Sequence, residues 1–262
     1  SKQGNGYPFG EIKFTNDDRL EYFDYGTSVD STYPIYAKTN RLFRDTSAWY
    51  HIVMAVDYAG YSAGEQGRFR MFVNGVQETD FNTMTLANQA AQSGASGAAA
   101  NYIQIGRLYD NSNYNAESYL AEFNFIDGYA YGPEYFGEFK EDTDIWIPKE
   151  YTDGYSNQSF YLSFADSSDI GNDDSGNGKD FTAVGLAASD VVPDSPTNNF
   201  NTLNPHNPLS HGTFSQGNLT VVLSGDDQFS STQELLYKSY CEVRLDASGN
   251  YGGAIGFGTM LG

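Results

Sequence analysis

The chain reads as all-β and antiparallel, and three observations carry that prediction. Of its 262 residues, 16% are aromatic and 28 are glycine, a composition that favours strands and turns over helices. Short apolar runs with period two recur between clusters of Gly, Asn, Asp and Ser, the signature of strands joined by tight turns. Asn74-Gly75 separates "RFRMFV" from "VQETDF", and a two-residue type I′ turn needs positive φ at both of those positions.

Taken in order, strands are expected at residues 11–14, 20–25, 50–56, 69–73, 102–106, 119–126 and 160–164. Alternation is plainest in "YLAEFNFID", with Tyr119, Ala121, Phe123 and Phe125 on one face and Leu120, Glu122, Asn124 and Ile126 on the other. Residues 69–73 and the segment after Gly75 form a hairpin. Residues 85–101, "TLANQAAQSGASGAAAN", lack bulky periodicity and read as a surface loop with a short helix at 86–92. The bulky members of the alternating runs, Trp49, Ile52, Met54, Phe72, Ile103, Phe123 and Phe125, are the expected core.

Three regions follow. Residues 1–165 form the first β-domain, and 166–212, rich in Asp, Asn and Pro, read as a linker. Residues 213–262 return to strand character in "GNLTVVLSG", "KSYCEVRLDASG" and "GGAIGFGT", the opening of a second β-domain. Cys241 falls in one of these runs and fits a small buried side chain. The chain lacks an initiator methionine and ends within an apolar glycine-rich strand, so a longer polypeptide is expected.

Charge narrows the partners. With 34 Asp and Glu against 14 Lys and Arg, the formal charge of −20 repels phosphate backbones, so nucleic acid is not expected. No apolar run reaches the ~18 residues of a membrane helix, and membrane insertion is not expected.

No catalytic constellation is placed by the sequence. Gly60-Tyr61-Ser62-Ala63-Gly64 fits G-x-S-x-G, yet a nucleophile elbow must join a strand to a helix, and a strand entering a hairpin follows Ser62. His51 alternates with Trp49 and Val53 on a strand, whereas His206 and His211 lie in the linker without a rigid support. Glu117 and Glu122, five apart, are expected on opposite strand faces, and Asp17-Asp18 at a turn, unlike the facing carboxylates of a glycosidase.

Two segments carry candidate binding residues. "DSSDIGNDDSGNGKD" supplies Asp166, Asp169, Asp173, Asp174 and Asp180. It reads first as a run of tight turns; the alternative is calcium held by Asp169, Asp173 and Asp174, without the EF-hand spacing. "YDNSNYN" places Tyr109, Asp110, Asn111, Asn113 and Tyr114 after a strand. It reads either as an Asn-rich loop or as a glycan site, where an aromatic face stacks on the sugar and Asp and Asn take its hydroxyls.

The ordered set "DTSAWYHIVMAVD", "RFRMFVNGVQ", "YIQIGRL" and "YLAEFNFIDGYAYGPEYFGEF" resembles the laminin-G-like, concanavalin-type jelly roll, with W-x-H leading a core strand and V-N-G closing a hairpin. With "WIPKEYTDGY", "FYLSFADSS", "DDSGNGKDFTAVG" and "DSPTNNFNTLNP", it is similar over residues 41–205 to structural proteins of tailed bacteriophages, especially marine ones. "KSYCEVRLDASGNYGGAIGFG" resembles the start of a SPRY-like domain.

This resemblance implies an antiparallel jelly-roll β-sandwich lacking its first strands, whose open sheet edge seeks another strand. It implies a non-enzymatic tail fibre, receptor-binding protein or capsid appendage at the virion surface, assembled in the host cytoplasm. Its expected partners are other virion proteins, further copies of itself, as in a fibre trimer, and a host surface glycan. No cofactor is required in this reading, calcium aside. A purely structural decoration or assembly role and a polysaccharide-degrading hydrolase are the alternatives.

Overall fold

The computed structural model describes residues 10–24, 35–45, 48–57, 68–86, 103–107, 116, 118–204, 212–223, 229–232 and 242–244. They form thirteen strands: β1 (Gly10–Phe14), β2 (Leu20–Asp24), β3 (Ile35–Thr39), β4 (Ile52–Val56), β5 (Phe69–Val73), β6 (Val76–Gln77), β7 (Phe81–Leu86), β8 (Phe123–Phe125), β9 (Gly137–Phe139), β10 (Trp146–Pro148), β11 (Phe160–Leu162), β12 (Thr213–Ser215) and β13 (Thr220–Val222). Every named pairing is antiparallel. The fold class is all-β.

Two sheets face each other across the core. One has the order β1-β2-β3-β7 and the other β4-β5-β6. Leu20 and Tyr22 from β2, Ile35 and Ala37 from β3, and Phe69 and Met71 from β5 make a single buried cluster, with the Tyr22 and Phe69 rings stacked at 5.1 Å. Burying each large side chain is worth about 1.5–3 kcal/mol. This two-layer arrangement is compatible with a jelly roll.

The Asn74-Gly75 turn forms as the sequence requires, with φ of 49° and 77° and Val73 opposite Val76. Asn74 ties the tip to the start of β4: its N–H donates to the His51 carbonyl at 2.8 Å, and its Oδ1 accepts the His51 N–H at 2.8 Å.

Several expected elements differ. Residues 103–106 are not a strand, and Ile103 is 38% exposed; Gly106, at φ 81°, turns the chain where a strand would have continued. The run at 119–126 shortens to β8 because Glu122 adopts φ 54°, which breaks the pleat. Tyr119 and Leu120 are consequently exposed. Leu86 ends β7 rather than starting a helix, and residues 87–92 lie outside the described residues.

Of the expected core, Phe72 is buried, whereas Trp49, Ile52, Met54, Phe123 and Phe125 are half-buried. Among the described residues β4 is an edge strand, and Ile52 and Met54 pack against the core cluster from its rim. Its other face, Val53 and Ala55, is buried.

The chain divides into two compact units, 1–232 and 233–262. Within the first, residues 166–204 carry ordered structure. Phe181 packs its ring on Phe160 at 5.0 Å, and Trp49 Nε1 donates to Asp194 at 3.4 Å. Among the described residues no helix is long and apolar enough to cross a membrane.

Candidate functional site: a tyrosine stack beside an acidic cleft

Among the described residues, one aromatic surface feature is built from "DGYAYGPEYF" and "KEYTDGY". Tyr129 and Tyr131 are two residues apart and their rings stack at 5.1 Å, within 5° of parallel. Gly132 and Pro133 then bend the chain into a 3-10 turn over Pro133–Tyr135, closed by Phe136 N–H donating to the Pro133 carbonyl at 2.9 Å. Proline suits the first position of such a turn because its fixed φ is already helical. The turn brings Tyr135 back onto Tyr131 at 4.1 Å, within 26° of parallel.

The stack is anchored to β5. Arg70, on the face of β5 away from the core cluster, donates Nη2–H to the Ala130 carbonyl at 2.7 Å, between the first two tyrosines. Tyr151 backs the stack at 6.0 Å from Tyr131; it is buried, and its hydroxyl donates to the Gly154 carbonyl at 3.1 Å. Burial, then hydrogen bonding to Tyr131 and the nearby Asp153 charge, pushes its phenol far above the ordinary range, so it stays protonated.

A cleft of about 260 Å³ opens beside Tyr135, lined also by Glu134, Lys149, Glu150, Tyr151, Thr152 and Asp153. The Lys149 ammonium donates to the Glu134 carbonyl at 2.6 Å. Among the described residues, Glu134, Glu150 and Asp153 form no ion pair. Tyr129, at the far end of the stack, is 63% exposed. Aromatic rings, hydroxyls and free carboxylates therefore share one patch, which suits a polyhydroxylated ligand: the rings offer apolar faces and the carboxylates accept from hydroxyls.

A second tyrosine pair joins Tyr161 on β11 to Tyr155 in the segment that precedes it. Tyr155 and Tyr161 stack at 6.1 Å; their hydroxyls donate to Asn124 and Glu122 respectively. Burial, reinforced by Glu122, Asp173 and Glu150, pushes the Tyr155 phenol up to about 12.

The aspartate-rich segment is a knot of turns. The buried Asp173 carboxylate accepts backbone N–H groups from Tyr161 at 2.9 Å, Ser175 at 3.0 Å and Lys179 at 2.9 Å. Burial opposes its charge, yet these bonds hold its carboxyl below the usual range. Asp174 takes Asn172 Nδ2 at 2.6 Å and the Ser163 hydroxyl at 2.5 Å, while Asp169 N–H caps a turn onto Asp166. Asp173 and Asp174 thus spend their oxygens on the chain itself. Among the described residues no three His, Cys, Asp or Glu side chains converge to hold a cation.

Tyr109, Asp110, Asn111, Asn113 and Tyr114 lie outside the described residues, as do Ser62, Glu117, His206, His211 and Cys241. His51 is committed elsewhere: its Nδ1 accepts the Trp146 Nε1–H at 3.0 Å, and burial pushes its imidazole down. The tyrosine stack itself was not singled out from the sequence. The signal for it was present in three tyrosines within seven residues, interrupted by Gly-Pro.

The chain matches no protein-family model, and no curated protein or solved structure is significantly similar to it.

Proposed function

We propose that this chain is a non-enzymatic adhesion module of a bacteriophage particle, part of a tail fibre, receptor-binding protein or capsid appendage, and that it binds cell-surface glycan through the Tyr129–Tyr131–Tyr135 stack and the adjoining cleft. The single observation that carries the binding reading is that stack, with its exposed end and three carboxylates outside ion pairs. The phage setting rests on the resemblance of the ordered motifs over residues 41–205 to virion proteins and to the laminin-G-like jelly roll. The formal charge of −20 suits a solvated exterior. Repeated copies on a particle would make weak single-site sugar contacts sufficient, because later contacts occur at high effective concentration.

The test is retention of the purified chain on isolated bacterial surface polysaccharides, with release of reducing ends measured in parallel. Retention without release, weakened roughly tenfold by Tyr135→Ala, supports the reading. Release of reducing ends supports a hydrolase instead. No retention on any polysaccharide leaves decoration or assembly as the role.

A further inference from the structure

Among the described residues β1 is an edge strand whose apolar side chains lie on the core-facing side of the sheet but remain about half exposed at its rim, Phe14 touching Phe43 edge-on at 5.2 Å. Among the described residues only β2 pairs with it. Ile12 sits opposite Tyr22 and Phe14 opposite Leu20, on the side of the sheet that faces the core cluster, yet they are 54% and 52% exposed. Between them, Glu11 and Lys13 are half-buried on the other face. A strand that exposes its apolar side chains and an open backbone edge is a template for another strand.

Backbone parity says which groups that edge presents. Thr15 N–H donates to the Arg19 carbonyl, so the odd residues of β1 bond towards β2. The N–H and C=O groups of Gly10, Ile12 and Phe14 therefore point to the open side. The next strand agrees: Leu20 N–H, opposite Phe14, points away from β1 to Thr39 Oγ1 at 3.2 Å.

We infer that two copies of this chain pair edge to edge, β1 against β1, antiparallel about a two-fold axis through Ile12. In this register Ile12 faces Ile12, and Gly10 faces Phe14 of the second copy, where the missing side chain leaves room for the ring. Glu11 faces Lys13 of the second copy, and the pair occurs twice. The neighbouring symmetric registers, centred on Glu11 or on Lys13, put like charges directly opposite, which disfavours them. Within one chain Lys13 lies 2.9 Å from Glu21 and 3.3 Å from Glu11. One cation thus serves two carboxylates in each copy, and across the two-fold each Glu11 also gains the second copy's Lys13 as a neighbour. The four-stranded sheets of the two copies become one eight-stranded sheet. This inference is independent of the glycan reading, since the tyrosine stack lies on other elements.

Cysteine placement tests both the pairing and its register, in a Cys241→Ser background of the 262-residue chain. Across the two-fold, the Ile12 Cα atoms come about 5.5 Å apart, inside the span of a disulfide. The two Phe14 Cα atoms stand about 14 Å apart, four residues of strand rise. Ile12→Cys is expected to form a disulfide-linked dimer under mild oxidation, Phe14→Cys to stay monomeric, and the Cys241→Ser chain to sediment as a concentration-dependent dimer. Ile12→Pro is expected to sediment as a folded monomer, because the N–H it removes is not in the β1–β2 ladder. The cysteine comparison stands even if proline unfolds the strand. A Cys241→Ser chain that stays monomeric at every concentration overturns the inference, as where a segment preceding Gly10 fills the edge. So does Phe14→Cys cross-linking as readily as Ile12→Cys.

Discussion

Trp146 locks the β5–β6 hairpin to β9, and Gly75→Ala should break that lock. A Cβ added at Gly75 would lie 2.2 Å from Trp146 Cε3 and 2.3 Å from Cζ3, so the indole has to leave. Three terms follow. A non-glycine residue at φ 77° costs roughly 1–2 kcal/mol. The Trp146–His51 hydrogen bond, 3.0 Å long, contributes about 0.5–1.5 kcal/mol. The edge-on contact of Trp146 with Phe139 at 4.9 Å adds about 0.5–1.5 kcal/mol. Together these give a destabilisation of roughly 2–5 kcal/mol, the sum of those terms. Gly128→Ala is the matched control: Gly128 has φ 92° and nothing within 4 Å of its added Cβ, so it bears the backbone cost alone. Urea unfolding followed by circular dichroism measures both, and tryptophan emission reports whether Trp146 moved. If Gly75→Ala costs no more than Gly128→Ala and the emission is unchanged, the overlap is absorbed and the lock does not exist.

Three further outcomes are expected. Burial holds the His51 imidazole below its ordinary 6.5, and Nδ1 must stay unprotonated to accept from Trp146. Its contribution is therefore complete above about pH 6.5 and lost as pH falls through the folded value; His51→Phe should flatten the stability profile between about pH 5 and 7, and an unchanged slope counts against the role. Asp173→Asn leaves one carbonyl oxygen for N–H groups that now share two, at a cost of about 1.5–3 kcal/mol. Because the folded Asp173 carboxyl lies below its unfolded value, its contribution is full above about pH 4 and fades in acid, so thermal melts of the variant should converge with wild type as pH falls. Ser62 should resist a fluorophosphonate probe, and labelling there would revive the hydrolase reading.

What the sequence determined by itself is what nearest neighbours decide. Period-two runs set β1, β2 and β5 to within a residue, and Asn-Gly set the hairpin, because side-chain alternation and positive φ are local properties. The aspartate-rich segment was legible as turns for the same reason. Only the tertiary structure decided the rest. "IYAKT" carries a lysine and little apolar length, yet it becomes the strand between β2 and β7 because both neighbours pair with it. The alternation of 119–126 was real in sequence but is cut at Glu122, whose backbone turns as its side chain meets Tyr161. Trp49 finds its polar partner at Asp194, 145 residues away, a distance no periodicity spans. The tyrosines at 129, 131 and 135 were visible as letters; their common face depends on a Gly-Pro bend and on Arg70 reaching Ala130 from another strand. Pairing between distant segments gathers the site, so composition could show its chemistry without showing its place.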